Sequence, residues 1–157
     1  MIRFIPKYWT VLRVGLVVSW IRLLLQRESL PLMLDRLSPR SMTGRSDEAV
    51  MEDLVYYVDR WLTLFPYNEK GNCFPRSLAL YWFAWRLGYP VLFHCGVRKE
   101  VSKLDGHAWL TLDCHPFHEP GQHWQHFTVT FSYPPDPAAS GGQNSAIHPP
   151  KSRATKS

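Results

Sequence analysis

Asn72-Cys73-Phe74-Pro75-Arg76-Ser77-Leu78-Ala79-Leu80-Tyr81-Trp82-Phe83-Ala84-Trp85-Arg86-Leu87-Gly88 reads as one helix that begins at a cysteine. Asn72 suits the N-cap, Pro75 falls in the first turn where a missing N–H costs little, and Gly88 followed by Pro90 marks the stop. Phe74, Leu78, Tyr81, Trp82 and Trp85 recur at helical spacing, so one wide face is expected to be buried. A thiol in the first turn lies at the positive end of the helix dipole, beside N–H groups that lack intrahelical partners and favour an anion. Cys73 is therefore the candidate nucleophile.

Upstream of this helix, Ser46-Asp47-Glu48-Ala49 resembles an N-terminal cap, and Val50, Leu54, Tyr57, Val58, Trp61 and Leu62 keep helical spacing to about Leu64. Residues 1–37 also read as a helical segment, with Val14, Val17, Val18, Ile21, Leu24 and Leu25 on one side and Arg13, Arg22 and Arg27 for solvent. Polar residues 38–45 make a linker between the two. Downstream the period changes from helix to strand. Val91–Val97, His107–Leu112 and Phe127–Phe131 are short apolar or alternating runs bounded by turn residues, which predicts a small antiparallel sheet. Helices followed by strands make an α+β fold, with residues 46–133 as its domain. From residue 134 onward Pro, Ser, Gly and Lys dominate, and the tail is expected to be disordered.

Composition narrows the function classes. With 157 residues and 45% hydrophobic content, the chain fits one domain with extensions and can build a core. Its formal charge of +5 invites an acidic partner, yet the Lys and Arg residues form no run interleaved with aromatics, so nucleic acid is not expected. Three cysteines, Cys73, Cys95 and Cys114, make an odd number without C-x-x-C spacing, which disfavours a secreted disulfide framework and points to a reducing compartment. Arg13 and Arg22 leave too short an uncharged run for a membrane span, so membrane contact is expected to be at most peripheral.

A cysteine nucleophile needs a base, and the base an orienting group. His107, early on a predicted strand in Gly106-His107-Ala108-Trp109, is the candidate base; the other reading of the same residue is a histidine satisfied in the core or by solvent. Asp113 shares its strand face but would lie roughly 20 Å away at about 3.3 Å per residue. If instead the chain reverses at Asp113-Cys114, Glu119 or Pro120 falls opposite His107, and Glu119 becomes the preferred orienter, against the alternative of an exposed edge-strand carboxylate.

Cys73-Phe74-Pro75-Arg76-Ser77-Leu78-Ala79-Leu80, then Gly96-Val97-Arg98, then His107-Ala108-Trp109 and a carboxylate at Glu119 resemble the leader peptidase of lasso-peptide biosynthesis, the peptidase half of the B-protein. That family is a set of transglutaminase-like cysteine proteases. The resemblance implies a transglutaminase- or papain-like core in a cytoplasmic enzyme that removes the leader from a ribosomally made precursor. Cys73 would attack the scissile carbonyl, His107 would act as base and then acid, and Glu119 would take the place of a third residue that is usually aspartate. The implied partners are the precursor peptide, a separate leader-recognition protein and an ATP-dependent macrolactam cyclase. The proteolysis itself is expected to need no cofactor and no metal.

Other residues carry secondary expectations. Arg76 could pair with a carboxylate, Ser77 could pack or hydrogen-bond behind Cys73, and Trp109 could line the cleft or sit in the core. Cys114, His115, His118, His123 and His126 could bind a metal, though their spacing matches no common zinc motif. Two further functions therefore stand beside the peptidase: an acyltransferase using the same Cys-His-acid chemistry, and a non-catalytic metal- or peptide-binding module.

Overall fold

Helix α4 (Cys73–Arg86) runs through the middle of the molecule, with Leu78, Ala79, Tyr81 and Ala84 fully buried. The computed structural model describes residues 4–39, 44–65, 71–99 and 103–135. Before α4 come α1 (Phe4–Leu24), α2 (Leu30–Leu37) and α3 (Glu48–Thr63). After it come strands β1 (Leu92–Lys99), β2 (Leu104–Leu112), the two-residue β3 (His115–Pro116), a 3-10 turn (His123–His126) and β4 (Thr128–Tyr133). The strands form one antiparallel sheet in the order β3-β2-β1-β4, so the α+β arrangement of a helical layer on a small antiparallel sheet is present.

Local signals account for most boundaries. α4 stops at Gly88, whose φ of +85° an L-residue rarely adopts; an added Cβ there would also lie 2.5 Å from the Gly44 carbonyl oxygen. α3 begins within the cap stretch Ser46-Asp47-Glu48-Ala49: Asp47 is the cap and accepts the Val50 N–H at 3.2 Å. Asn72 precedes α4 but does not cap it with its side chain. Its Oδ1 instead accepts from Arg22 Nη1 of α1 at 3.3 Å, a tertiary contact that outcompetes the local one.

The segment expected ahead of a linker is two helices separated by a turn at residues 25–29. Val14, Val18 and Ile21 of α1 and Met33, Leu34 and Leu37 of α2 are fully buried in the cluster that holds Leu78, Val91 and Phe93. Ser38, the first residue of the expected linker, bonds its hydroxyl to the Leu34 carbonyl at 2.8 Å and to the Tyr81 hydroxyl at 2.7 Å, tying α2 to α4. Residues 40–43 of that linker, and the tail from residue 136, lie outside the described residues.

Two registers position the functional side chains. In the β1–β2 pair, Gly96 faces His107 and Cys95 faces Ala108. In the β2–β3 hairpin, Leu112 pairs with His115 and Thr111 with Pro116, and the Phe117 N–H continues the ladder to the Leu110 carbonyl at 2.9 Å. The reversal is the two-residue turn Asp113-Cys114, with φ of 49° and 65°, the positive pair that a type I′ hairpin requires. Glycine is the natural occupant of the second place, and Cys114 is exposed there. Replacing Cys114 with Gly is predicted to stabilise the fold by about 1 kcal/mol, the order of the penalty an L-residue carries in the left-handed region. The measurement is the midpoint of thermal unfolding, and an unchanged or lowered value would contradict it.

Candidate active site

The mouth of α4 opens onto a cleft lined by Gly71, Asn72, Cys73, Arg98, Asp105, Gly106, His107, His123 and Phe127. Cys73 is half-buried at the first residue of the helix and shares the cleft with the His107 imidazole, close enough to raise the pKa of that ring. One turn further on, the Ser77 hydroxyl is buried and donates to the Ala108 carbonyl at 2.8 Å. Ser77 and Cys73 share a helix face. The bond to Ala108 therefore sets how far along β2 the thiol sits, and that distance brings it to His107.

His107 Nε2–H donates to Glu119 Oε1 at 2.6 Å. With Nε2 bonded to Glu119, Nδ1 is the ring nitrogen that remains for a partner on the other side. The hairpin register explains how Glu119 arrives. Continued regularly, the ladder would set Pro120 opposite His107, but His118 leaves it with φ +48° and delivers the longer glutamate side chain from one residue earlier. The Glu119 side chain is only 3% exposed, and its second oxygen lies 3.8 Å from Arg76 Nη1. Arg76 in turn donates through Nε to Asp59 Oδ1 at 2.7 Å and through Nη2 to the His118 carbonyl at 3.0 Å. It thus clamps α3 and α4 to the loop that carries Glu119.

Burial by itself would lower the His107 pKa, but the hydrogen bonds to Cys73 and Glu119, reinforced by the charges of Glu119 and Cys73, outweigh it and push the value up to about 9. At neutral pH the imidazole is therefore held as the cation beside the sulfur. Trp109, buried and two residues along the strand, stacks on the ring with centroids 5.8 Å apart and planes 14° off parallel. Arg76, Ser77 and Trp109 thus lie behind the cleft and support the groups that face it.

Sequence reasoning singled out Cys73, His107 and Glu119, and the structure brings all three together. It passed over Asp59, Asp105 and Phe127, because nothing in their local pattern distinguishes an exposed helical aspartate or a strand-edge phenylalanine. Arg98 pairs with Asp105 at 3.0 Å and lies over the Phe127 ring at 4.9 Å, forming one wall of the cleft.

The Cys114/His cluster does not converge. Cys114 is exposed in its turn, His115 bonds through Nδ1 to the Asp113 carbonyl at 2.7 Å, and His118 pairs with Glu48 at 3.3 Å. Among the described residues, the group whose ligand atoms fall within 4.8 Å of one another is His107, Glu119 and His123. Two imidazoles and a carboxylate suit zinc, and a bound ion would take Nε2 of His107 away from Glu119. Added Zn2+ is predicted to slow alkylation of Cys73, a chelator to restore it, and His123→Ala to lose the sensitivity; equal alkylation rates with and without the metal would refute this.

No curated protein and no solved structure matches the chain significantly. Its sequence does match the transglutaminase-like superfamily over residues 12–132, a span that runs from within α1 into β4. A cysteine at the head of a core helix, faced by a histidine and a carboxylate from the neighbouring hairpin, sits inside that match, and the chain belongs to the transglutaminase-like superfamily.

Proposed function

We propose that this protein is a cysteine peptidase that removes the leader from a ribosomally synthesised lasso-peptide precursor. The observation that carries the reading is that Cys73 and His107 line one open cleft, with the His107 ring held at 2.6 Å by Glu119 behind it. A sulfur held beside a cationic imidazole is the resting state of a thiol nucleophile that works without a separate activation step. In the reaction Cys73 Sγ attacks the scissile carbonyl and forms a thioester as the peptide bond breaks. His107 gives its proton to the departing amine, then takes one from the water that releases the leader. The start of α4, where N–H groups lack intrahelical partners, supports the Cys73 backbone N–H as an oxyanion donor. Glu119 keeps the ring oriented and its cation stabilised throughout.

The motif resemblance around Cys73 and His107 supports a lasso-peptide precursor as the substrate. It also supports a separate leader-recognition protein that presents the leader, an ATP-dependent cyclase that closes the macrolactam on the released core, and a cytoplasmic setting. Acyl transfer is the second reading, since the superfamily is one of peptidases and transferases. The thioester would then pass to an amine in place of water.

Cys73→Ala is predicted to abolish cleavage of a precursor peptide in the presence of its recognition protein, monitored by mass spectrometry; cleavage at the wild-type rate would remove the assignment. Product with added hydroxylamine in place of hydrolysed leader would move it to acyl transfer. For pH, the raised value near 9 means that the imidazolium is lost, and activity falls, only as pH rises through about 9. The stability this group contributes follows the same window, complete below its ordinary value of 6.5 and gone above about 9. Glu119→Gln removes the carboxylate charge that raises it, so the alkaline limb of the kcat/KM profile is predicted to move toward neutrality. An alkaline limb that stays in place would show that Glu119 does not act through His107.

A further inference from the structure

α1 is apolar on both sides. Its inner side, including Val14, Val18 and Ile21, is buried in the core, and Trp61 Nε1 donates to the Val11 carbonyl at 2.8 Å to hold the helix against α3. Its outer side carries Trp9, Leu12, Leu16, Trp20 and Leu23, spaced by three or four residues, with Tyr8 beside them. All six are exposed, Trp9 at 68% and Leu16 at 64%. At about 1.5 Å per residue they make a stripe roughly 21 Å long. A helix that is apolar all round is normally covered on every side, and an exposed apolar stripe of this kind marks an interaction surface.

Charge identifies the cover. Basic residues are spread along the whole chain, but acidic ones are not. Residues 1–27 hold Arg3, Lys7, Arg13, Arg22 and Arg27 and no Asp or Glu, whereas residues 28–157 hold the other 13 of the 18 basic residues and all 13 acidic ones. The net charge of +5 therefore resides entirely on α1 and its flanks (5 − 0), and the remainder is neutral (13 − 13). Lys7, Arg13 and Arg27 are exposed. A second copy would set this cationic helix against its own like charges. The residues from 136 onward offer Ile147 as their one large aliphatic or aromatic side chain and cannot cover the stripe. Trp and Tyr, by contrast, are the side chains that settle at a lipid–water boundary. No helix among the described residues is long and apolar enough to cross a membrane.

We propose that α1 lies in the plane of an anionic lipid bilayer, its outer stripe in the headgroup–acyl boundary and the flanking Arg13 and Arg27 against lipid phosphates. This does not depend on the peptidase reading. The test is co-sedimentation of the full chain with vesicles of phosphatidylcholine and phosphatidylglycerol in equal parts, and with vesicles of phosphatidylcholine alone, at low and high salt. The expected result is binding to the anionic vesicles, about tenfold or more weaker to the neutral ones, and reduced by salt. Leu16→Glu and Trp9→Ser, both at exposed positions, are expected to weaken it by a further factor of about ten while circular dichroism and Cys73 alkylation stay unchanged. Absence of binding to the anionic vesicles, binding that neither variant reduces, or a concentration-dependent dimer that Leu16→Glu dissociates without any lipid binding would each overturn the proposal, the last assigning the stripe to a second copy.

Discussion

The hydrogen bond from Ser77 to the Ala108 carbonyl holds the molecule's chemistry in register. A hydroxyl bond of this kind is worth only about 1 kcal/mol net, and its value here lies in position rather than energy. Helix α4 packs on β2 within one apolar cluster that includes Leu78 and Ala108, and apolar surfaces by themselves tolerate sliding. A buried directional bond does not. It places one point of the helix against one point of the strand, and the thiol one turn before Ser77 then meets the imidazole one residue before Ala108.

Around this fixed point the structure spends its buried charge economically. Glu119 is nearly inaccessible, and a carboxylate there is tolerated only because His107 and Arg76 approach its two oxygens. Arg76 is itself anchored by Asp59, so α3, α4 and the loop after β3 all converge on one carboxylate. The polar network that orients the histidine is the same one that holds the loop down. The wall formed by Arg98, Asp105 and Phe127 then shapes the cleft, and Phe127 meets that network at the His107 ring, with centroids 5.2 Å apart.

Much of this was readable before the fold was known. Cys73 announced itself through helix-boundary chemistry, and Glu119 through simple counting around the turn at Asp113-Cys114, because hairpin register is local. The choice between Glu119 and Pro120 was not local. It turns on His118 leaving the ladder with a positive φ, which a sequence of histidines and prolines does not disclose. Asp59 was invisible because its meaning comes from Arg76, seventeen residues away across a helix packing. Asn72 misled for the reverse reason: its local role as a cap gave way to Arg22, fifty residues earlier. The two-sided apolar character of α1 was likewise read as one face for the core and cations for solvent, when the outer stripe is as apolar as the inner one.

The order of the strands has a consequence in time as well as space. β1 lies between β2 and β4, so the first strand in the chain pairs with the last, and the sheet is complete only when residues 128–133 have docked on it. The thiol, contributed by a helix, can exist as a folded turn well before that. Its base and its carboxylate come from a hairpin whose pairing with α4 is long-range and therefore slow to form. A chain in which that hairpin has not yet docked thus carries a sulfur without its imidazole.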